Sequence, residues 1–361
     1  MKGNRICKSM SLCTGCEACA NICPHDAIDM KFNWKGFLYP RIDQNKCIDC
    51  GVCQRVCPVN KEQSHDFIFK EAAVYIDKNR DYLMRASSGG AFGTMARYVL
   101  VNGGVVFGCS MDSEYNITFV SVNNLIDLLN LHGSKYVQAK VGMIYRQVQQ
   151  VLKSGTLVLF CGCPCHVAAL KSYLRKGYDN LITMDLICHG VPSQLYFKSY
   201  VTDLLKRKKE ISAFRFRYKE DGKDIYNGYC TKDFYMTYFL WGKGYRNSCY
   251  NCRYPGAERE GDFTIGDFWN NKKANFPIDV SKGASLIFFN TEKSKELKKL
   301  FQENSFFVSV DSFETAMGSD GGQMKHPCKN DLRTNLIYIL YKLFGLSGPK
   351  LLFYFNTFLF K

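Results

Sequence analysis

Eight cysteines near the start of the chain stand in two runs of identical spacing. The run CTGCEACANICP carries Cys13, Cys16, Cys19 and Cys23, and the run CIDCGVCQRVCP carries Cys47, Cys50, Cys53 and Cys57. Adding 34 to each position of the first run gives the corresponding position of the second. Thiolates are preferred ligands of zinc and of iron–sulfur clusters, so the repeat predicts metal binding rather than ordinary packing.

The spacing C-x2-C-x2-C-x3-C-P resembles the bacterial ferredoxin run, in which the fourth cysteine ligates the other cluster. We therefore assign one 4Fe-4S cluster to Cys13, Cys16, Cys19 and Cys57, and the second to Cys47, Cys50, Cys53 and Cys23. Zinc is disfavoured because it takes four ligands and not a paired set of eight. Residues 1–63 are thus predicted to form an α+β, ferredoxin-like dicluster domain that passes single electrons, with Cys7 as a spare thiol.

The composition is that of a folded protein in a reducing compartment. The 361 residues are 46% hydrophobic and 22% charged, which allows one large core plus a small module. Eighteen cysteines with no secretory signal at the start favour metal binding in the cytoplasm over a disulfide framework. The formal charge of +15 would fall to about +9 with three clusters of about −2 each. This positive charge would attract an acidic electron carrier or an anionic lipid surface, and no nucleic-acid-binding motif accompanies the charge.

The remainder of the chain alternates apolar and amphipathic runs, which predicts a larger α/β domain with a mainly parallel sheet. Predicted strands are EAAVYI, VVFGCS, NITFVSV, TLVLFCG and LITMDLICHG. Predicted helices follow SSGG and lie in YRQVQQVLKSG and PCHVAALKSYLRK. We expect a first part at 64–155, a second part at 156–330 and a separate apolar tail at 331–361.

A further set of cysteines follows the predicted strands. Cys161, Cys163 and Cys165 come after one strand, Cys188 comes after the next, and Cys249 and Cys252 form a C-x2-C pair. Carboxyl ends of neighbouring parallel strands meet at one sheet edge, where ligands bind in open α/β folds. The pattern predicts a third 4Fe-4S cluster on Cys165, Cys188, Cys249 and Cys252. A zinc site and ordinary buried cysteines are the alternatives.

Two glycine-containing loops could bind an anion. Ser88, Gly89 and Gly90 precede a predicted helix, whose N-terminus attracts negative charge, and Ser134 and Lys135 lie in a second loop. Together they could hold the pyrophosphate of a flavin nucleotide. Either loop could also be a simple turn.

Six motifs then occur in a recognisable order: SSGGAFGTMARYVLVNGGVVFG, GSKYVQA, LFCGCPCHVAALKSYL, DLICHGVPS, SCYNCRYPGAEREGDFTIGDFW and KGASLIFFNTEK. From about Ala72 to about Lys293 the chain resembles the beta subunit of coenzyme F420 hydrogenase and dehydrogenase, in the form fused behind a two-cluster ferredoxin domain. The spelling is closest to bacterial homologues associated with polysaccharide biosynthesis. The family commonly has GTPC where this chain has Cys161 to Cys165, which leaves three thiols as candidate ligands.

The resemblance implies a flavoprotein with a cluster beside its FAD, where the flavin converts single electrons into a hydride. By position, the flavin pocket would contain Ser88, Gly89, Gly90, Ser134, Lys135 and Pro164. The third cluster would be held by Cys165, Cys188, Cys249 and Cys252. His189 would either face the substrate as a catalytic residue or fill space.

The predicted function is therefore an FAD- and 4Fe-4S-dependent oxidoreductase. A ferredoxin or flavodoxin would supply electrons, and a small-molecule or lipid-linked substrate would accept the hydride. The alternative is a non-catalytic electron-transfer subunit of a larger redox complex. The tail, NLIYILYKLFGLSGPKLLFYFNTFLFK, is interrupted too often to span a bilayer. It would form helices that lie on the inner face of the cell membrane or that pack on protein.

Overall fold

The computed structural model describes residues 6–61, 71–209, 211–219, 225–227, 233–256, 259–270, 280–318, 324 and 327–359. All eight cysteines of the repeat and all six cysteines of the second set lie within these ranges. The predicted fold class, a ferredoxin-like dicluster region followed by an α/β domain, is confirmed.

The dicluster region repeats its backbone as well as its sequence. Its elements are α1 (Ala18–Ile22), β1 (Ile28–Phe32), β2 (Leu38–Ile42) and α2 (Val52–Val56), with 3-10 turns at Met10–Leu12 and Pro58–Asn60. Equivalent loop positions are left-handed in both copies, with φ of 70° at Gly15 and 56° at Asp49. Cys23 and Cys57 also match, with φ/ψ of −67°/117° and −68°/116°. Each cysteine loop therefore has the same shape.

The larger domain is built on one eight-stranded sheet. Its strands are β3 (Ala72–Asp77), β4 (Val105–Met111), β5 (Ile117–Val122), β6 (Val158–Gly162), β7 (Leu181–Leu186), β10 (Phe263–Asp267), β11 (Ser285–Phe289) and β12 (Ser305–Val310). A separate pair is formed by β8 (Ala213–Arg215) and β9 (Ile225–Asn227). The order in the sheet is β12-β3-β11-β10-β7-β6-β4-β5. The four adjacent strands β4, β6, β7 and β10 are parallel, and the strands on either side run antiparallel to their neighbours.

Helices cover both faces of this sheet. They are α3 (Arg80–Arg85), α4 (Ala91–Val101), α5 (Ile144–Lys153), α6 (Pro164–Leu174), α7 (Gln194–Arg207), α8 (Phe234–Leu240), α9 (Asn247–Tyr250), α10 (Glu292–Glu296), α11 (Lys298–Glu303), α12 (Phe313–Met317), α13 (Leu332–Phe344) and α14 (Ser347–Leu359). Strands on both sides of residue 155 share the sheet, so that boundary stays a prediction. No helix in the described part of the chain is long and apolar enough to cross a membrane.

Alternation along β6 separates two hydrophobic layers. Val158 and Phe160 pack with α5, α6 and α7, whereas Leu159 and Cys161 pack with α4 on the opposite face. The strand then ends, and the next residues enter the loop at its carboxyl edge.

The larger domain caps the helices of the dicluster region. Arg146 donates to the carbonyls of Asn21 and Cys23 at 2.6 and 2.9 Å, and Ser172 donates to the carbonyl of Val56 at 2.7 Å. In return, the buried Glu17 carboxylate accepts hydrogen bonds from the amides of Val141 and Gly142 at 2.8 and 3.0 Å. Carbonyl groups at the ends of helices need hydrogen-bond partners outside the helix, and the larger domain supplies these partners to the dicluster region.

Glu17→Ala should weaken this docking. Two buried N–H groups would lose their acceptor, at a cost of about 2–4 kcal/mol. Glu17→Gln keeps one acceptor oxygen and is the matched control, with a smaller loss. Denaturant unfolding of the anaerobically purified protein, followed by tyrosine and tryptophan emission, measures both. Equal stability of Glu17→Ala and wild type would contradict the inferred role.

Candidate functional site

The second cysteine run lies around a small cavity together with one cysteine of the first. Cys47, Cys50 and Cys53 line a pocket of about 30 Å³, and Cys23 lines the same pocket. Cys23 and Cys53 also pack against the same small hydrophobic cluster as Cys19. Cys57, the fourth cysteine of the second run, is not among the residues of this cavity. The arrangement agrees with the exchange of fourth cysteines predicted from the repeat.

The first run is more deeply buried and is joined by Cys57. Cys57 packs with Cys7 and Val59, and Cys13 lies against this group. Cys57 is also within electrostatic range of Cys16, which is itself buried. The spare thiol Cys7 hydrogen-bonds with Cys57 and donates to the Ser9 carbonyl at 2.6 Å. Cys50 is exposed, so the second run is the one that reaches solvent.

A buried arginine from the larger domain contacts the first run. Arg246 has no exposed surface, and its Nε donates to the Cys13 carbonyl at 2.7 Å. Its Nη2 lies 3.6 Å from Cys13 Sγ, and its Nη1 donates to Gln138 Oε1 at 3.1 Å. The guanidinium also stands 4.0 Å from the centre of the Tyr39 ring. These contacting groups are neutral, but the buried Glu17 carboxylate interacts electrostatically with Arg246. A buried cation needs negative charge nearby, and a cluster held by thiolates would add a charge of about −2.

The four cysteines predicted for a third cluster come together at the carboxyl edge of the parallel strands. Cys165 follows β6, and Cys188 follows the adjacent β7. Cys249 lies in α9, with Cys252 just beyond it. Electrostatic interactions link Cys165 to Cys188, Cys249 and Cys252. Within the described residues no three His, Cys, Asp or Glu side chains converge on a position for a single metal ion. The donor set is four soft thiols, which fits an iron–sulfur cluster.

The thiols of the β6–α6 loop differ in their partners, although all three line one cavity. Cys161 packs in the layer that contains α4 and interacts with Cys109, Asp185 and Lys135. Cys163 also interacts with Cys109, but it hydrogen-bonds with Cys188 and therefore lies within the predicted cluster site. Its side chain also caps the start of α6. Cys163 and Cys165 are thus the thiols of this loop that interact with Cys188.

A cavity of about 540 Å³ joins this site to the predicted flavin loops. All four predicted third-cluster cysteines line it, and so do Ser88, Gly90, Ser134, Lys135, Pro164 and His189. Gly89 lies behind the wall, where a Cβ would collide with the Tyr75 carbonyl and the Ser285 amide. Gly90 has φ of 97° and begins α4. Close packing at Gly89 and the left-handed φ of Gly90 therefore require glycine at these two positions, independently of any ligand.

Two buried polar atoms beside this cavity have no partner. They are Nε2 of His132, which lines the cavity, and Nη1 of Arg97. Both approach Gly93 in the first turn of α4. The other guanidinium nitrogen of Arg97 pairs with Asp77 at 2.7 Å. Burial lowers the pKa of His132 to about 4. A neutral donor, a cation and a helix N-terminus at one place suit a phosphate group.

Lys135 has a structural task in addition to its place in the cavity wall. Its Nζ donates to the carbonyls of Asn130, Leu131 and His132 at 3.3, 3.1 and 3.0 Å. Burial lowers the pKa of Lys135 to about 8. The ammonium thus closes the turn at Asp127–Leu131. The neighbouring Ser134 amide is held by Ser87 Oγ at 2.6 Å.

His189 stands in the same cavity, beside the end of β10. Burial lowers its pKa, and the nearby Asp267 carboxylate opposes this shift. Asp267 itself pairs with Arg217 at 2.6 Å. The ring of His189 packs 5.9 Å from that of Phe239. His189 is therefore placed where it could contact a substrate or simply complete the wall.

The cavity also reaches the first cysteine run of the dicluster region. Leu12 and Thr14, on either side of Cys13, line it. Cys16 and Cys165 are within electrostatic range of each other, and the buried Tyr145 and Tyr254 interact with both thiols. The second cysteine run, the first run and the predicted third-cluster cysteines thus form a series that leads from the surface at Cys50 to the cavity.

Known protein families match two parts of this chain. Residues 155–311 match the C-terminal domain family of the beta subunit of coenzyme F420 hydrogenase/dehydrogenase. Residues 12–61 and 39–87 match two families of 4Fe-4S dicluster domain. This chain joins a 4Fe-4S dicluster domain to a domain of the F420 hydrogenase/dehydrogenase beta family. The predicted resemblance to this family is therefore confirmed over residues 155–311, and the association with polysaccharide biosynthesis stays a prediction.

Similar ferredoxins match the N-terminal region. The N-terminal region is 40% identical over 68 residues to the ferredoxin "Ferredoxin 7Fe" of Hydrogenibacillus schlegelii, covering 19% of this chain and 81% of that protein. It is 38% identical over 74 residues to a ferredoxin of Alicyclobacillus acidocaldarius, covering 20% of this chain and 88% of that protein. It thus belongs with the ferredoxins. A chain of the xenon-derivatised F420-reducing NiFe hydrogenase complex from Methanosarcina barkeri has 14% identity and a TM-score of 0.48. The match covers 80% of this chain and 93% of that one.

Three residues of the site were not predicted from the sequence. Arg246 lies three residues before Cys249, and only this proximity to the C-x2-C pair could have drawn attention to it. Arg97 and His132 are single polar residues that belong to no motif of recognisable spacing. Their partnership depends on the contact between α4 and the turn at Asp127–Leu131, which spacing alone does not reveal.

Double variants test the exchange of fourth cysteines. Cys57→Ala should remove one cluster of about four irons. The double variant Cys57→Ala/Cys16→Ala should lose no more iron than Cys57→Ala, because both residues are ligands of the same cluster. The double variant Cys57→Ala/Cys50→Ala should lose about four further irons. Iron and sulfide content after anaerobic purification measures this, with Cys7→Ala as the control that keeps all iron. The reverse pattern, with the larger loss in Cys57→Ala/Cys16→Ala, would contradict the assignment.

Arg246→Gln should lower the reduction potential of the cluster held by the first run. A positive charge stabilises the added electron, by an amount on the order of 100 mV at an effective dielectric constant of about 20. Arg246→Lys should retain much of the potential, and Arg55→Gln, at the exposed second run, should leave it unchanged. An EPR-monitored redox titration of protein with full iron content measures the shift. An unchanged potential in Arg246→Gln would show that the guanidinium acts only in docking.

Proposed function

We propose that this protein is an iron–sulfur flavoprotein oxidoreductase that transfers electrons between its dicluster domain and a flavin in the larger domain. The observation that carries the proposal is the single cavity of about 540 Å³, which has the Cys165 and Cys188 thiols and the SSGG loop in its wall. A cavity that holds a flavin beside a cysteine-bound cluster would suit an enzyme that converts one-electron transfer into two-electron transfer. Bound FAD would supply that conversion by accepting single electrons and releasing a hydride.

The proposed third cluster uses Cys165, Cys188, Cys249 and Cys252. Their common position at the carboxyl edge of β6 and β7 supports this assignment, with Cys163 as the competing ligand from the same loop. Electrostatic contact between Cys16 and Cys165 supports a short path from the first cysteine run. Electrons would then pass through the clusters of the dicluster domain to the flavin in the cavity.

The proposed FAD site uses the residues around the start of α4. Ser88, Gly90 and Ser134 would form one part of the wall beside the flavin, since the Ser134 amide is bonded to Ser87 Oγ, and Pro164 would line the same cavity. The unpartnered His132 Nε2 and Arg97 Nη1 fit a phosphate oxygen, which would satisfy both. Lys135 would brace the loop through its three carbonyl contacts. His189, in the same wall, would be the residue that contacts the hydride acceptor.

We propose a ferredoxin or flavodoxin as the electron donor. Cys50 is exposed, whereas Cys16 and Cys57 are buried, so electrons would enter at the cluster of the second run. The formal charge of +15 favours an acidic donor and gives an association rate that falls with ionic strength.

Flavin content is the direct test. After anaerobic purification we expect about one FAD per chain, the stoichiometry of a single dedicated cofactor site. His132→Leu should weaken FAD binding by about tenfold, because a buried hydrogen bond to a charged group contributes about 1.5–3 kcal/mol. His132→Gln keeps a donor and is the control. Chromatography of the released cofactor and FAD titration of the apoprotein provide the readouts. Absence of FAD from wild type with full iron content would contradict the proposal.

The third cluster is tested by comparing cysteines of one loop. Cys165→Ala should lose about four irons, whereas Cys161→Ala should lose none, because its thiol interacts with Cys109, Asp185 and Lys135 and not with Cys188. Iron content reads this directly. If Cys163→Ala loses iron and Cys165→Ala does not, Cys163 is the ligand instead.

A further inference from the structure

The C-terminal helix α13 (Leu332–Phe344) is apolar on two faces, and only one of them packs on the protein. Ile337, Tyr338 and Thr334 are buried against the larger domain. Leu332, Leu336, Ile339 and Leu343 are exposed, at 90%, 37%, 44% and 65% of their surface. Their spacing of four, three and four residues places them on one side of the helix. A row of this kind in water marks an interaction surface.

A second segment extends this surface. The hairpin between β1 and β2 carries Trp34, which is 53% exposed. Lys35 on this hairpin donates to Asn335 Oδ1 of α13 at 2.6 Å, and the Lys342 ammonium lies 5.9 Å from the centre of the Trp34 ring. Asn335 and Lys342 lie on the flank of α13 next to the Leu332–Leu343 row. Trp34 therefore borders the row, although it is about 300 residues away in sequence.

The two segments that form this surface carry only positive charges. Residues 332–361 contain Arg and Lys but no Asp or Glu, and the same is true of residues 30–41. Asp331, at the start of α13, is already paired with Lys243. Lys35 and Lys342 thus flank an apolar row without a compensating carboxylate from these two segments.

We propose that α13 and the β1–β2 hairpin dock the protein on an anionic lipid surface. Exposed leucine and isoleucine side chains would enter the boundary of the acyl chains, with Trp34 and the lysines at the level of the headgroups. Lysine is depleted in protein–protein interfaces, whereas tryptophan and lysine together are typical of membrane interfaces. Because α13 is a 13-residue helix, it would lie in the surface rather than cross it.

The surface also bears on the redox site. Tyr338 on the buried face of α13 donates to the Gly244 carbonyl at 2.5 Å, two residues from Arg246, and packs on Phe37 at 5.7 Å. Docking would therefore hold the first cysteine run and the cavity close to the membrane. The docking proposal itself does not rest on bound flavin, so its failure would leave the proposed redox function untouched.

Vesicle co-sedimentation of the anaerobically purified full chain tests the proposal. We expect binding to phosphatidylcholine vesicles with about 30% phosphatidylglycerol, and weaker binding to phosphatidylcholine alone. Leu332→Asn/Leu343→Asn should reduce binding by about tenfold, because two apolar side chains no longer enter the interface. Val101→Asn/Ile126→Asn removes two equally exposed aliphatic side chains elsewhere and should bind like wild type. Iron content and unfolding midpoint confirm that each variant is folded.

Tryptophan emission gives an independent readout. Vesicle binding should shift the wild-type emission to shorter wavelength, and Trp34→Phe should lose most of this shift while Trp241 and Trp269 remain. No sedimentation with either vesicle, or equal binding by Leu332→Asn/Leu343→Asn and wild type, would overturn the proposal. Self-association that this double variant abolishes, without vesicle binding, would assign the surface to a protein contact and overturn it as well.

Discussion

The contact between the Arg246 guanidinium and the Cys13 loop is the interaction on which the arrangement of the two domains depends. Arg246 is completely buried, yet its contacts are a carbonyl, an amide oxygen, a thiol and an aromatic ring. A cation in such surroundings is stable only if negative charge is close. The buried Glu17 carboxylate provides part of this charge, and a cluster on the first cysteine run would add about −2. Both belong to the dicluster domain, so the charge that the larger domain buries is offset from the other side of the interface.

The parallel part of the sheet explains why the cysteines of the larger domain meet at one cavity. β6 and β7 end side by side, and their loops carry Cys165 and Cys188, while α9 brings Cys249 from the same chain segment as Arg246. The antiparallel strands add Ile117 at the start of β5 and Ser285 at the start of β11 to the same cavity. Beside Gly93 in α4, Arg97 Nη1 and His132 Nε2 have no hydrogen-bond partner. Strand direction thus places the thiols at the edge that also faces the first cysteine run.

Much of this could be predicted because it is local or periodic. The offset of 34 between cysteine runs predicts matching loops, and Gly15 and Asp49 do share left-handed conformations. The strands and helices around Cys165 and Cys188 follow from apolar runs and a helix-starting proline. Contacts between distant segments could not be predicted in this way. Arg246 reaches Cys13 across 233 positions, and the hydrogen bond between Cys163 and Cys188 joins the loops of two adjacent strands. Lys135 matches a ligand-binding motif, and only the fold reveals its three carbonyl partners.

The most direct test of the account is whether electrons that enter the dicluster domain reach the flavin through the third cysteine group. Rapid mixing of anaerobic holoprotein with reduced ferredoxin, followed by EPR of the clusters and absorbance of the flavin, resolves the order of reduction. The account predicts cluster signals first, then flavin reduction. It also predicts that flavin reduction slows by several orders of magnitude in Cys188→Ala that retains its FAD. Flavin reduction at the wild-type rate in that variant would contradict the account.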